Sequence, residues 1–358
     1  RPGKLHGYVT IVATEDQTEV TLQVTANTGS GPGGVPALAT GESWTTVLEA
    51  YEVLSVETDG AGEDLSGTLI TSSHPIAVFS GHECANVPDT TACAGGICTF
   101  APLWTCNGPE DCPAVCCCDH LEEQLFPISA WGKTYVGARS TPRGLESDHW
   151  RVVAAEDNTV ITLNPPVAVA PILAAGDLFE FPAVDSFVLN ADKPVMLGQF
   201  LASEFAPGVS AGVCNSNGLF GSCSNLPGEL CLTNQDCVAG AEPGDAGIGD
   251  PAFVLAVPVE QLRDEYVFLV PNKYADDHLT IYTPLGASVI LDGQSLDGEA
   301  WSSIAQGWNA LHLPVEDGVH RLQGTEPFGV MVHGYDSYVS YGYPAGMNVG
   351  VLSWTSAP

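Results

Sequence analysis

The sequence predicts an all-β protein built from three tandem antiparallel β-sandwich-like repeats with two disulfide-rich loop inserts. Three observations predict it. One motif is written three times, the strand-like stretches are short, β-branched and punctuated by Gly and Pro, and no sustained apolar i, i+3, i+4, i+7 stripe occurs. The motif first reads Tyr8-Val9-Thr10-Ile11-Val12-Ala13-Thr14-Glu15-Asp16, followed by Thr18–Leu22. It returns as His149-Trp150-Arg151-Val152-Val153-Ala154-Ala155-Glu156-Asp157 with Thr159–Leu163, and more loosely as His278–Pro284 with Ser288–Leu291. Each copy later reaches a proline that opens an apolar strand, at Pro75, Pro194 and Pro327. Polar residues recurring in register across such copies are expected to be scaffold before chemistry.

Taken in order, the first repeat offers strands at Tyr8–Thr14, Glu19–Thr25, Ser43–Leu48, Glu52–Glu57, Gly67–Thr71 and Ile76–Ser80. Gly/Pro-rich turns at 29–34 and 58–62 separate them. The best helical stretch is Asp119–Leu125, about two turns by periodicity. Two related leaders close on a Tyr-Val strand ahead of their motif: Asp119–Pro127 running to Thr134-Tyr135-Val136-Gly137, and Asp250–Pro258 running to Glu265-Tyr266-Val267-Phe268. The expected divisions are therefore 1–118, 119–249 and 250–358. The first repeat has no such leader and should present an edge needing cover. That cover would come from preceding sequence, from the tail Asn348–Trp354, or from a strand given by a neighbouring molecule.

Twelve cysteines fall in two segments, 84–118 and 214–237. The first holds Cys84, Cys93, Cys98, Cys106, Cys112, Cys116, Cys117 and Cys118; the second holds Cys214, Cys223, Cys231 and Cys237. The spacing Cys98-x7-Cys106-x5-Cys112 repeats as Cys223-x7-Cys231-x5-Cys237, each insert following its repeat's proline-led strand. Even-numbered, clustered cysteines in loop-rich sequence read as disulfide staples in an oxidising compartment, with connectivity open. No apolar run is long enough to span a bilayer. The chain opens on Arg1-Pro2-Gly3 and reads as a trimmed mature segment. It has no Asn-x-Ser/Thr acceptor, which favours a bacterial over an animal origin.

Charge narrows the function further. Against 43 acidic side chains stand 10 basic ones, a formal net charge of −33. Such a surface repels nucleic acid and anionic membranes. It suits divalent cations or basic partners, or serves solubility alone. Cys116-Cys117-Cys118-Asp119-His120 is ligand-rich but lacks zinc-type spacing. Asp148-His149 and Asp277-His278 recur in register, as strand openings or as a site. The loops Asp59–Asp64 and Glu242–Asp250 set carboxylates among glycines, suited either to calcium or to solvated turns. No G-x-S-x-G elbow, H-E-x-x-H or phosphate-binding glycine loop appears, so no catalytic residue and no cofactor is nominated. Tyr335, Tyr338, Tyr341 and Tyr343 are spaced to occupy both faces of a strand. They would form a binding face, or the junction where the last repeat meets the first.

Residues Ser73–His82, Asp119–Val136 and the Tyr338-Val339-Ser340-Tyr341-Gly342-Tyr343-Pro344 stretch together resemble the IgGFc-binding protein N-terminal domain family. The resemblance covers nearly the whole chain outside the cysteine inserts, and Cys106–Pro113 resembles inserts of secreted myxobacterial proteins. It implies an extracellular or surface-attached, all-β chain that is part of a larger protein. The role it implies is adhesive, matrix-forming or interactive, through protein partners. The leader missing from the first repeat adds self-association by strand complementation into an extracellular fibre or oligomer, and the lack of catalytic motifs points to a role without catalysis. The alternative is an extracellular ligand-binding module recognising glycan or using calcium. Autocleaving Gly-Asp-Pro-His sites occur in the animal protein; Gly249-Asp250-Pro251-Ala252 lacks the histidine. Antibody binding is not carried over by any matching residue.

Overall fold

The computed structural model describes residues 5–60, 63–87, 118–143, 146–203 and 248–352, with the backbone of short strands at 93–94, 97–98, 101–105, 214–216, 221–223 and 230–231. The first unit contains β1 (Gly7–Ala13), β2 (Thr18–Gln23), β3 (Ser43–Leu48), β4 (Val53–Glu57), β5 (Leu69–Ser72) and β6 (Ile76–Ala85). All six lie where β-branched alternation placed them. Strand β2 shows why: Val20 and Leu22 face in while Glu19 and Gln23 face out. Strand β1 runs between β4 and β6, with Ile11 opposite Leu54 and Val78. Strand β2 runs between β3 and β5 in a second sheet. Ile11, Val20, Leu22, Leu54 and Val56 fill the core between the two sheets.

The first cysteine insert contributes β7 (Cys93–Ala94), β8 (Ile97–Cys98) and β9 (Ala101–Thr105) as an antiparallel trio. The second unit follows with β10 (Asp119–Gln124), β11 (Gly132–Gly137), β12 (Asp148–Ala154), β13 (Ile161–Asn164), β14 (Leu178–Ala183) and β15 (Phe187–Leu201). Its insert supplies β16 (Cys214–Ser216), β17 (Gly221–Cys223) and β18 (Leu230–Cys231). The third unit holds β19 (Ala252–Leu255), β20 (Arg263–Val270), β21 (Asp276–Pro284), β22 (Val289–Leu291), β23 (Gln294–Ser295), β24 (Ser302–Ser303), β25 (Trp308–Pro314), β26 (Gly318–Asp336) and β27 (Val339–Pro344). Helical structure among the described residues is confined to three-residue 3-10 turns at Pro32–Gly34, Ile128–Ala130 and Val259–Gln261.

Asp119–Leu125 is not a helix. It forms β10, antiparallel to β6, with Leu121 buried and its neighbours His120 and Glu122 exposed. A short polar run with one apolar anchor takes the conformation of the sheet edge it completes, overriding helix propensity. This also divides the leaders. Their first halves pair backward: β10 finishes the sheet of the first unit, and β19 pairs with β15 of the second. Strand β27 pairs with β26 in the third. Their second halves pair within their own unit, β11 with β15 and β20 with β26.

The same pairing scheme recurs. The first half of β15 lies between β11 and β13 and its second half pairs with β12 and β19. The first half of β26 lies between β20 and β22 and its second half between β21 and β27. Recurring polar residues close turns. Gln17 and Asn158 both sit at a left-handed φ of 56°. The following threonine in each copy donates back, Thr18 Oγ1 to Glu15 O at 2.7 Å and Thr159 Oγ1 to Glu156 O at 2.6 Å. Asp16 and Asp157 each accept a backbone N–H, from Ala50 and Ala175. These are scaffold.

Arg151 ties the first two units. Its guanidinium meets Asp64 at 2.8 Å, Ser66 Oγ at 2.6 Å and Glu180 at 2.7 Å. Burial pushes the Asp64 carboxyl up, but Arg151 and the Ser66 hydrogen bonds outweigh it and hold the group below its ordinary value. Asn348 N donates to Gln261 O at 2.8 Å and Leu352 N to Ser129 O at 2.7 Å, so 348–352 lies on the 3-10 turns of the second and third units. Trp354 lies outside the described residues.

Candidate site at the junction of the second and third units

The loop from Ala138 to Ser147 carries two of the ten basic side chains, Arg139 and Arg143, in a chain where cations are scarce. Both are drawn inward. Arg143 Nη1 donates to Ile248 O at 2.6 Å, and its Nη2 donates to Ala202 O. Its guanidinium also stacks 4.8 Å above the Tyr335 ring. Arg143 N donates to Glu146 Oε1 at 2.6 Å, and Arg139 Nη2 to Glu146 O at 2.5 Å. Asp148, fully buried, accepts from Ser140 N at 2.7 Å, Ser140 Oγ at 2.6 Å and Gln199 Nε2 at 2.6 Å. Burial raises its carboxyl pKa despite those donors.

From the third unit, His333 meets this loop. Its Nε2 accepts the Thr141 N–H at 3.0 Å, which fixes that nitrogen as unprotonated. Its ring stacks on His278 at 5.7 Å. Burial, and then the neighbouring His278 and His312, push His333 well below the usual imidazole value. Tyr335 donates to Thr141 O at 3.1 Å and is buried with Leu201 and Ala252. A second apolar cluster of Val136, Ala138, Val257, Leu262 and Tyr282 seals the joint alongside. The arrangement is a polar wedge, and its chemistry is positional.

The tyrosines therefore separate. Tyr335 stands between the third unit and the second, not the first. Tyr341 donates to Asp277 Oδ1 at 2.6 Å, and Tyr343 donates to Leu269 O. Both rings pack on the third unit's own core. Tyr338 alone of the four is exposed, at a left-handed φ of 59°. The Asp-His pairs do not converge either, because successive strand residues point to opposite faces. Asp148 faces Ser140 and Gln199. Asp277 faces Tyr341, while the His278 ring stacks on His333.

His149 gives a testable consequence. Burial pushes its imidazole down to about 4, against the opposing charge of Glu180. The unfolded chain takes up that proton first as pH falls. Stability is thus full above about pH 6.5 and is lost towards pH 4, by about 3 kcal/mol. Glu123, raised to about 7 by burial, works in the opposite direction over part of that range. Urea unfolding at pH 7.5 and 4.5 should therefore show that acidification costs His149→Gln less stability than it costs the parent chain, with Glu123 left to act alone; the same change with pH in both would refute it.

Among the described residues no three His, Cys, Asp or Glu side chains converge as a metal site. In the first acidic loop, Glu63 accepts from Asn27 Nδ2 at 3.2 Å and from Gly60 N at 3.1 Å, and Asp64 binds Arg151. Those carboxylates are already partnered. The second loop lies outside the described residues up to 247; beyond it, Ile248 bridges to Ser337 and Asp250 N donates to Ser340 Oγ at 2.8 Å. Cys84 and Cys118 form a disulfide. Cys93 stands opposite Cys98 in backbone register, and Cys214 opposite Cys223. The strand β18 ends on Cys231, whereas Cys106, Cys112, Cys116, Cys117 and Cys237 lie outside the described residues.

Sheet order and junction together define a class: an antiparallel all-β sandwich protein whose second and third units are joined, among the described residues, through Arg143, His333 and Tyr335. The chain belongs to the IgGFc-binding protein family, whose model, described as IgGFc binding protein, matches residues 1–334. A human protein named IgGFc-binding protein is 29% identical over 318 residues, covering 87% of this chain and 5% of its own length. The chain thus spans a small fraction of that relative. No solved structure matches. No helix among the described residues is long and apolar enough to cross a membrane.

Proposed function

We propose that this chain is a non-catalytic extracellular module, of bacterial origin, that acts through protein–protein contact. The family match over 1–334 carries the reading, since the human relative is named for binding a protein. A face suited to contact supports it. Leu269 stands directly opposite Val319 across β20 and β26, with Val267 on the same face, and all three side chains are exposed. The Arg321–Glu265 ion pair at 2.7 Å flanks them. The net charge of −33 favours a partner with a basic surface and makes association sensitive to salt. Adhesion and fibre formation are special cases of the same role. Glycan or calcium recognition has less behind it, because the carboxylates of the first acidic loop are engaged internally.

Immobilised chain should bind at least one member of a panel of secreted proteins that includes IgG Fc and spans basic to acidic surfaces. The doubly substituted Leu269→Asp/Val319→Asp chain should bind about tenfold more weakly with an unchanged melting temperature. Failure of the whole panel at low and physiological salt would sink the proposal.

A further inference from the structure

One face of the third unit gathers three imidazoles. His278 on β21 stands directly opposite His333 on β26, and Thr280, two residues along β21, stands opposite His312 on β25. Same-face positions on a strand lie two residues apart, so these four side chains and Tyr335 share one side of the sheet. That side meets the second unit. Thr141 N donates to His333 Nε2 at 3.0 Å, Tyr335 Oη donates to Thr141 O at 3.1 Å, and Thr280 Oγ1 donates to Arg139 O at 3.4 Å. His312 Nδ1 lies 3.2 Å from the same Thr280 hydroxyl. Arg143 lies flat on the Tyr335 ring beside them. Residues 139–143 of the second unit thus grip a histidine-lined face of the third.

The grip holds only while His333 is neutral. Its Nε2 accepts a hydrogen bond, so Nδ1 carries the ring's single hydrogen and a second proton has only Nε2 to go to. The new Nε2–H would then face the Thr141 N–H, donor against donor, and the bond between the units is lost. The ring is completely buried, and the groups acting on it are Arg143, His278 and His312, all cationic or able only to become so. Arg139 faces His312 in the same sense. The carboxylates of the joint are committed elsewhere: Glu146 to Arg143 N, Asp148 to Ser140 and Gln199, and Asp277 to Tyr341. Asp276 and Asp277 favour a proton on His278, which adds a cation beside His333. We propose that this face is an acid-released latch: proton uptake at His333 detaches residues 139–143 from the third unit and loosens the joint, while β19, paired with β15, keeps the two units tethered. In the closed joint His333 sits well below the usual imidazole value, whereas an opened ring returns towards about 6.5. The open form therefore takes up the proton first as pH falls, and each pH unit below about 6.5 favours it by up to tenfold. At neutral pH the latch stays shut. It stands apart from partner binding at the exposed face of β20 and β26.

Hydrogen exchange on the full chain at pH 7.5 and 5.0, corrected for the intrinsic pH dependence of the exchange rate, tests the latch. Protection at residues 139–143 and Met331–Tyr335 should fall about tenfold or more on acidification, with β1–β5 little changed. His333→Gln keeps a side-chain oxygen to accept the Thr141 N–H and cannot titrate there, so it should lose most of that response. Should this variant not fold, the His333 ring protons of the parent, followed by NMR over the same range, report instead: they should titrate in step with the loss of protection at Thr141. Protection that does not change with pH would overturn the latch, as would an equal acid response in a folded His333→Gln chain. So would protonation of His333 with Thr141 still protected. A fall spread evenly over β1–β5 as well would mean general acid unfolding, and the latch would again be wrong.

Discussion

Replacing both Cys84 and Cys118 by serine lowers the unfolding free energy by about 4 kcal/mol, measured by urea denaturation against the parent chain. The estimate follows from the loop the bond closes, a sequence separation of 34 residues. Cys84 lies on β6 and Cys118 immediately precedes β10, where Asp119 stands opposite Ala85. The bond thus fastens the returning chain to the strand it is about to pair with. Without it, β10 must find β6 across an open excursion that carries six further cysteines. A loss under about 1 kcal/mol would mean that packing alone returns β10 to its place.

Arg143→Ala should cost about 3–5 kcal/mol, because removing one partner of a buried charged group leaves the other uncompensated. The substitution deletes the donors to Ile248 O and Ala202 O, the stack on Tyr335, and the cation beside buried Glu146. Arg143→Lys should recover less than half of the loss, since an ammonium cannot fork to two carbonyls while lying flat on a ring. Hydrogen exchange should rise at Ile248–Ala252 and at Tyr335 before it rises in β1–β6. If exchange rose evenly over all three units, Arg143 would be a general stabiliser and not the fastener of one joint.

Strand identity was legible wherever side chains alternate. Val20 and Leu22 announce β2, and Pro75 announces β6; Pro194 and Pro327 do not open strands but lie inside the continuous β15 and β26, where the segments on either side of them join. The repeated Glu-Asp-x-Thr turn was equally plain, because Thr18 and Thr159 satisfy backbone carbonyls only a few residues away. Asp119–Gln124 was not, since its conformation comes from β6, which its own residues do not encode. The junction was legible only in part. Tyr335 stood out as an aromatic, but Arg139, Arg143, Glu146 and His333 contact partners as far as 192 residues away. No local pattern encodes such a distance. The available signal was scarcity: two arginines in one short loop of a chain holding ten cations.

The sulfur bridge between Cys84 and Cys118 also decides how this molecule carries tension. A pull applied at the two ends reaches the bridge before it reaches residues 85–117, so load crosses from β6 to β10 through a covalent bond. The segment between them is shunted out of the force path while the rest of the unit is stretched. Reducing the bond would release that hidden length as slack, turning a stiff link into an extensible one.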